Sequence, residues 1–521
     1  MIAFYNAVLR GSENTAMLVD DGRIVLCSTD EEILKQVSKT DETVDLKGQY
    51  VISGFCDSHM HLLELGFFLS GIQMHGCKCF ADVKALIEKR LQQKDQWIIG
   101  RGFNEQLFTD RCIPERKLLD EISKDVPICL TRSCGHLMCV NSKALELAGI
   151  DENTEVEGGS IDLTRGILYE NAAVHMHEAW PKPDVSQLKR YIELGMKECN
   201  RYGITTVGSD DFLSVTADYE KVLDAFEQMS YQQKLTVRVT EQCEFSSLKD
   251  YADFLDSGYT MDVGNDLFRI GPLKLVCDGS LGARTARMAK PYKDDPKNKG
   301  VMLYTKKQME DFTDMAHHFN TGVICHCIGD GALDEVLQIF AERTLPDNPL
   351  KDGIVHCQIM RADQLEKISA MKLVSYFQSL FIDSDAKILT DRVSSELAGT
   401  CYPYRYLNEH TIACNGSDAP VEIPDVMKGI QLAVLRKTMD GTAEMNQDEC
   451  LTADQALDSY TLNGAKALSI DADNGALKTG YHADFAVLDR NPETCRKEEL
   501  SECHIVMTVM NGDTVYQRGL D

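Results

Sequence analysis

Gly54-Phe-Cys-Asp-Ser-His-Met-His-Leu62 is the stretch on which the reading of this chain turns. A short apolar start, Val51 and Ile52, runs through Gly54 and Phe55 into two histidines one residue apart, His59 and His61. On an extended strand, residues i and i+2 point the same way. The two imidazoles therefore sit side by side and face one point. Neutral imidazole is a ready ligand for a divalent transition metal, with Zn–N distances of about 2.0–2.1 Å. Two histidines facing solvent, or satisfied within a core, are the competing account of the pair alone.

Around this stretch, apolar strand-like runs alternate with helix-like ones, which argues for parallel α/β structure. After Val51–Phe55 come Ile204–Val207, Thr236–Thr240, Leu273–Val276, Val323–His326, Ile354–His356, Leu373–Tyr376 and Thr411–Asn415. Eight such runs are the count of a (β/α)8 TIM-type barrel. Helix ends are legible too. Thr452-Ala-Asp-Gln455 is a capping box. A helix from about Ser186 to Arg201 is followed by Gly203, where a left-handed cap belongs.

The two ends of the chain share another texture. Ala16–Val19 and Arg23–Leu26 flank Asp20-Asp21-Gly22, and Ile505–Met510 and Thr514–Gln517 flank Asn511-Gly512. Both are hairpin signals. Residues 1–50 and 475–521 are expected to build one small β-sandwich, with 51–474 forming the barrel. Roughly 97–180 breaks the alternation. It holds a strand pair candidate, Trp97–Gly100 and Ile128–Thr131, and turn-rich Glu157-Gly158-Gly159-Ser160. It is expected as an insertion after the first barrel strand, where loops at strand C-termini build active sites.

Three further runs end in a histidine or carry a buried-looking lysine. Lys274 sits among leucines in Gly271-Pro-Leu-Lys-Leu-Val-Cys-Asp278. Such a lysine either snorkels to water or faces inward, where burial disfavours its cation. His326 ends an apolar strand in Gly322-Val-Ile-Cys-His-Cys-Ile-Gly-Asp330, and His356 does so in Gly353-Ile-Val-His-Cys-Gln358. Cys325 and Cys327 should point the other way from His326 and are not read as ligands. Asp418 closes Ile412-Ala-Cys-Asn-Gly-Ser-Asp-Ala-Pro420. It is either a turn or capping aspartate or a carboxylate at the barrel mouth.

His59, His61, Lys274, His326, His356 and Asp418 thus fall at the ends of strands one, four, five, six and eight. In this pattern the chain resembles the amidohydrolase superfamily. Within it, the chain is most similar to the amidohydrolase-3 branch, which holds N-substituted formamide deformylase and YtcJ-like proteins. The motifs that carry the resemblance are Asp57-Ser-His-Met-His61, Asp278-Gly-Ser-Leu-Gly-Ala-Arg-Thr285, His326-Cys-Ile-Gly-Asp330 and Gly416-Ser-Asp-Ala-Pro-Val421. The closing segment Gly475 to Asp489 matches as well.

The resemblance implies a metal-dependent amidohydrolase acting by metal-activated hydroxide on a non-peptide C–N bond (amide, N-acyl or N-formyl). It implies one or two divalent cations, zinc first, held by His59, His61 and Asp418 on one side and His326 and His356 on the other. Lys274 aligns with the lysine that carries a carbamate bridging both. Asp418 would be the catalytic proton carrier. His136 and Glu170, in the insertion, match family positions for substrate contact, against a plain surface histidine and a solvated glutamate. Arg284 is a weaker substrate-binding candidate that would pair with a carboxylate, against an exposed loop arginine.

Other readings stay beside this one. A deaminase, or an ester, lactone or phosphoester hydrolase, could use the same centre. Deaminases of the superfamily usually carry His-X-X-Glu after the fifth strand, and here the fourth residue is Gly329. A non-catalytic scaffold barrel ranks last, because all six positions are filled.

Composition sets outer bounds. The chain has 521 residues and a formal net charge of −28. That surface repels phosphate backbones and anionic lipid, so a small-molecule substrate is expected and nucleic acid and membrane partners are not. The 19 cysteines are scattered, with no Cys-X-X-Cys, which fits free thiols in a reducing cytoplasm. No secretory signal is visible at the N-terminus. A homo-oligomer is left open.

Overall fold

Gly54 marks a change of sheet. In the computed structural model, which describes residues 1–133, 137–156 and 159–520, the strand Glu42–Ser53 belongs to a sheet made by the chain ends. One residue later Phe55–Met60 begins the barrel. Val51 packs with Phe4, Phe485, Val487 and Val509 in the terminal sheet's core. The apolar run at 51–55 is therefore two strands, and the expected first barrel strand is displaced to Phe55–Met60. Only glycine fits between them: a Cβ at Gly54 would stand 2.0 Å from Thr205 Oγ1.

The barrel strands are β1 (Phe55–Met60), β2 (Ile204–Ser209), β3 (Arg238–Cys243), β4 (Phe268–Val276), β5 (Val323–Cys327), β6 (Gly353–His356), β7 (Val374–Phe377) and β8 (Ala413–Asn415). They hydrogen-bond in that order as one eight-stranded sheet, every pair parallel. The sheet nearly closes. Ser58 Oγ donates to the Asn415 carbonyl at 2.8 Å, and the Asp418 N–H donates to the His59 carbonyl at 2.9 Å. This is a TIM-type barrel. Its strands are buried along their length, which is why they read as continuous apolar runs.

Helices return the chain between strands, and their starts are chemically specified. Tyr219–Tyr231 is capped by Asp218, Leu248–Asp256 by Ser247, and Lys306–His318 by a Thr305/Gln308 capping box. The Thr452/Gln455 box opens Ala453–Ser459 as its spacing demands. The helix expected near 186–201 runs Val185–Arg201, with Gly203 at φ +79° past its end.

The terminal sheet has seven strands, ordered Asp513–Gln517, Ile505–Met510, Phe485–Leu488, Glu42–Ser53, Ile2–Leu9, Ala16–Asp20, Arg23–Ser28. Both anticipated hairpins are present. Asn511 and Gly512 have φ of 51° and 81°, and Asp21 and Gly22 have 47° and 73°, as two-residue hairpin turns require.

Glu64–Leu194 forms a separate compact unit. The stretch expected as an insertion at 97–180 lies inside it. It has its own six-stranded sheet, ordered Gly159–Asp162, Ile167–Glu170, Leu137–Val140, Ile128–Arg132, Ile98–Phe103, Ile72–Gln73. Ile98, Phe103, Ile128, Leu130 and Ile167 are among its fully buried core. Among the described residues no helix is long and apolar enough to cross a membrane.

Candidate metal centre

Polar side chains gather at the C-terminal ends of the barrel strands. β1 carries His59 one residue before its end and leads to His61, and β4 presents Lys274. β5 presents His326, β6 ends on His356, and Asp418 lies three residues past β8. The three strands without an assigned residue in the sequence supply partners: Asp210 follows β2, Gln242 lies in β3 and Gln378 follows β7.

One cluster is centred on Asp418. Its Oδ1 lies 3.5 Å from His59 Nε2 and 3.3 Å from His61 Nε2. One ligand atom each from His59, His61 and Asp418 lie within 4.8 Å of one another. Next to it is a second pair, in which His326 Nδ1 and His356 Nε2 are 2.8 Å apart. The His59 and His356 ring centroids are 5.6 Å apart. Lys274 Nζ lies 3.2 Å from His59 Nε2 and donates to Asp210 Oδ2 at 3.1 Å. All six sequence candidates for the centre are thus brought together at one rim.

The opposite edge of each imidazole is anchored, which sets which nitrogen is free. His59 Nδ1 meets Gln242 Oε1 at 2.5 Å, and His356 Nδ1 meets Gln378 Oε1 at 2.8 Å. His61 Nδ1 meets the Asp210 carbonyl at 2.6 Å. His326 is reversed, its Nε2 lying 3.2 Å from the Gly279 carbonyl. A carbonyl oxygen only accepts, so each anchored nitrogen carries the proton. The lone pairs left are Nε2 of His59, His61 and His356 and Nδ1 of His326. These are the nitrogens that face the shared space. A neutral, oriented, oxygen-anchored imidazole is the donor a divalent cation takes. The residues present therefore fit one or two metal ions.

Burial keeps three of these rings neutral. It holds His59 and His326 well below the ordinary histidine range and lowers His356 to about 4. Asp418 goes the other way. Burial opposes its charge, but the surrounding His61, His356 and His59 outweigh that and hold its pKa below the ordinary carboxylate range. The backbone is strained at the same two places: His356 has φ +82° and Asp418 φ +57°. Non-glycine residues held there cost of order 1–3 kcal/mol and collect at functional sites. Neighbours enforce the geometry. The Asp57 carboxylate accepts from the backbone of Ser417 and His59. Gly416 packs so close to His59 that a Cβ would stand 2.7 Å from its N and O.

Next to Asp210 lies a buried acidic pair, Asp211 and Glu241, that is not among the residues expected from the sequence. Asp211 accepts from Ser209 Oγ (2.6 Å) and the Leu63 N–H (2.9 Å), and Glu241 Oε1 accepts from the Asp211 N–H at 2.9 Å. Burial raises Asp211 to about 7 and Glu241 well above the carboxylate range. The visible signal was the carboxyl-rich endings Ser209-Asp-Asp211 and Glu241-Gln-Cys-Glu244 after apolar runs.

The weaker candidates fall elsewhere. Arg284 spends both guanidinium faces on Asp294, Nε to Oδ1 at 3.2 Å and Nη2 to Oδ2 at 2.8 Å. Glu170 is exposed at the end of a strand of the Glu64–Leu194 unit, with φ +51°. His136 lies outside the described residues.

With the fold and centre in place, comparison with known proteins defines the class. The amidohydrolase family model matches residues 42–516, and the chain belongs to that family. It is a metal-dependent hydrolase of the amidohydrolase superfamily. Among curated relatives it is 29% identical to the putative amidohydrolase YtcJ of Bacillus subtilis, over 99% of this chain and 98% of that one. It is 26% identical to N-substituted formamide deformylase of Arthrobacter pascens, over 98% of this chain and 96% of that one. Among solved structures, an uncharacterized metal-dependent hydrolase from Pyrococcus furiosus superposes with a TM-score of 0.80 at 27% identity. The match covers 95% of this chain and all of that one.

Proposed function

We propose that the chain hydrolyses a non-peptide C–N bond, an amide or an N-acyl or N-formyl amine, in a small molecule. The observation that carries this reading is the convergence of the His59, His61 and Asp418 ligand atoms within 4.8 Å, beside the His326/His356 pair and Lys274. The relative named for formamide deformylation supports the bond class. Zinc is the first choice of ion, because nitrogen and carboxylate donors in a small cluster suit it.

A bound divalent cation would polarise the substrate carbonyl and lower the pKa of the attacking water. The remaining work belongs to the chain. Asp418, held ionised, takes the proton of the attacking water and returns it to the leaving nitrogen. Its Oδ1 lies 3.5 Å from His59 Nε2 and 3.3 Å from His61 Nε2, beside the nitrogens that would hold the ion, and this supports the role. His59, His326 and His356, kept neutral by burial, hold their lone pairs for the ion rather than for protons.

Lys274 is proposed to be carboxylated. Its amine would add carbon dioxide, forming an N–C bond and releasing one proton, and Asp210 at 3.1 Å is placed to take that proton. The resulting anion would offer two oxygen donors to the ions held by the histidines and Asp418. Lys274→Ala should lose at least 100-fold in turnover and regain part of it with short carboxylic acids. Unchanged turnover in Lys274→Ala rules the bridging role out.

A ring deaminase is less well supported, because the position where those enzymes carry a glutamate is Gly329. Its N–H donates to Asp278 Oδ2 at 2.8 Å, and a Cβ there would stand 2.1 Å from the Arg287 carbonyl. The test is a panel of N-formyl, N-acyl and cyclic amides, lactones, esters and aminopurines given to metal-replete enzyme. Turnover confined to the amides is expected. Turnover confined to esters or aminopurines overturns the proposal.

A further inference from the structure

All four histidines at the centre are anchored on their outer edge, two by backbone carbonyls and two by side chains of one kind. His59 and His356 are each held by the amide oxygen of a glutamine, Gln242 at 2.5 Å and Gln378 at 2.8 Å. The glutamines come from β3 and from just past β7, two strands that supply no ligand. Both are buried, at 0% and 1% exposure, so neither exchanges its partner for solvent at no cost.

We infer that Gln242 and Gln378 are positioning residues that set metal affinity separately in the two halves of the centre, Gln242 through His59 and Gln378 through His356. The inference rests on the metal-centre reading above. Its physical basis is the tautomer. An amide oxygen accepts and cannot donate, so it keeps the proton on Nδ1 and leaves the Nε2 lone pair for the ion. The ring plane is fixed at the same time. Gln242 is itself clamped, its Nε2 donating to the Ser58 carbonyl at 2.9 Å, so its oxygen cannot swap with its nitrogen. Gln378 is clamped differently: its backbone carbonyl accepts from Tyr404 Oη at 3.1 Å, while among the described residues its side-chain Nε2 has no partner.

That difference makes Gln378 the sharper test. Gln378→Glu keeps an accepting oxygen against His356 and gives up no hydrogen bond, while a carboxylate partner raises imidazole basicity. Gln378→Leu removes the acceptor and frees the ring to rotate or to protonate on the wrong nitrogen. The experiment is equilibrium competition for zinc between the purified full chain and a chromophoric chelator. The cobalt-substituted absorption spectrum is recorded in parallel, with the thermal midpoint of each metal-free variant as a control for folding.

Loss of a supporting partner of this kind costs 10–100-fold in metal affinity. Gln378→Leu is expected to weaken one class of ion by that factor and to change the cobalt spectrum. Gln378→Glu should bind at least as tightly as the starting protein. Gln242→Leu should weaken the ion held by His59, His61 and Asp418 instead. If Gln378→Leu does not fold, the Glu variant decides, since a tenfold loss in it contradicts the inference. Unaltered zinc affinity in both Leu variants, with metal-free midpoints unchanged, overturns the inference while leaving the metal centre standing. Absence of zinc binding by the starting protein overturns the metal-centre reading itself.

Discussion

His59 shows how much of this site is decided one residue at a time. Its identity as a ligand was readable because His61 stands two positions on. Its support was not, because Gln242 is 183 positions away and a glutamine in an apolar run carries no local signal. The same holds for Asp210 and Gln378, which read as ordinary polar strand endings. Arg284 is the reverse case. A loop arginine suggested a carboxylate partner, and a carboxylate is present, but it is Asp294 of the same chain. Arg284→Ala is therefore expected to change KM for the substrate by less than about threefold, read from steady-state kinetics. Glu241 yields a second prediction. A carboxyl with a raised folded-state pKa adds stability that is fully present below its unfolded pKa and is lost as pH rises through the folded one. Burial raises both Asp211, to about 7, and Glu241, so this contribution should fade from about pH 4 up through neutrality and beyond. Glu241→Gln keeps the acceptor for the Asp211 N–H and removes one of the two ionisations. Its thermal midpoint should exceed that of the starting protein at pH 8 by more than it does at pH 5. An equal difference at both pH values would show that the pair does not titrate this way.

At the scale of the element, parallel strands buried on both faces are long apolar runs, and this is why eight of them were legible. The exception is instructive. Val51-Ile-Ser-Gly-Phe55 is one run to the eye, yet two sheets share it. The break is made by sterics at Gly54 against Thr205, a residue that only the fold brings near. Gly54→Ala should cost about 1–3 kcal/mol in denaturant unfolding, the usual range for overpacking a close-packed site. Thr205→Gly in the same chain should recover part of the loss. A Gly54→Ala variant as stable as the starting protein would mean that the handover is not tight. The compact unit is wider than the span expected as an insertion, 97–180. The helices Leu62–Ser70 and Phe80–Gln92 precede the expected span, yet all but the first two residues of that stretch lie in the Glu64–Leu194 unit. Periodicity reports the kind of element, not the sheet it packs on.

For the whole molecule, the two chain ends meet in one sheet while the barrel they bracket collects six ligand-type side chains from five strands. A ligand that binds only the folded state stabilises it by mass action. Removal of tightly held metal by a chelator should therefore lower the thermal midpoint, and restoring zinc should raise it again. A midpoint indifferent to metal would place the ions, if any, outside the fold's own machinery. The central claim is that these side chains together form a metal centre, and the direct measurement is the metal content of the purified chain set against that of His59→Ala and His356→Ala. The account predicts at least one equivalent of divalent metal per chain, lost in His59→Ala, with a second equivalent, where present, lost in His356→Ala. A chain that carries no metal after purification and takes up none from a zinc-buffered solution, or one whose content is the same in both variants, would contradict it.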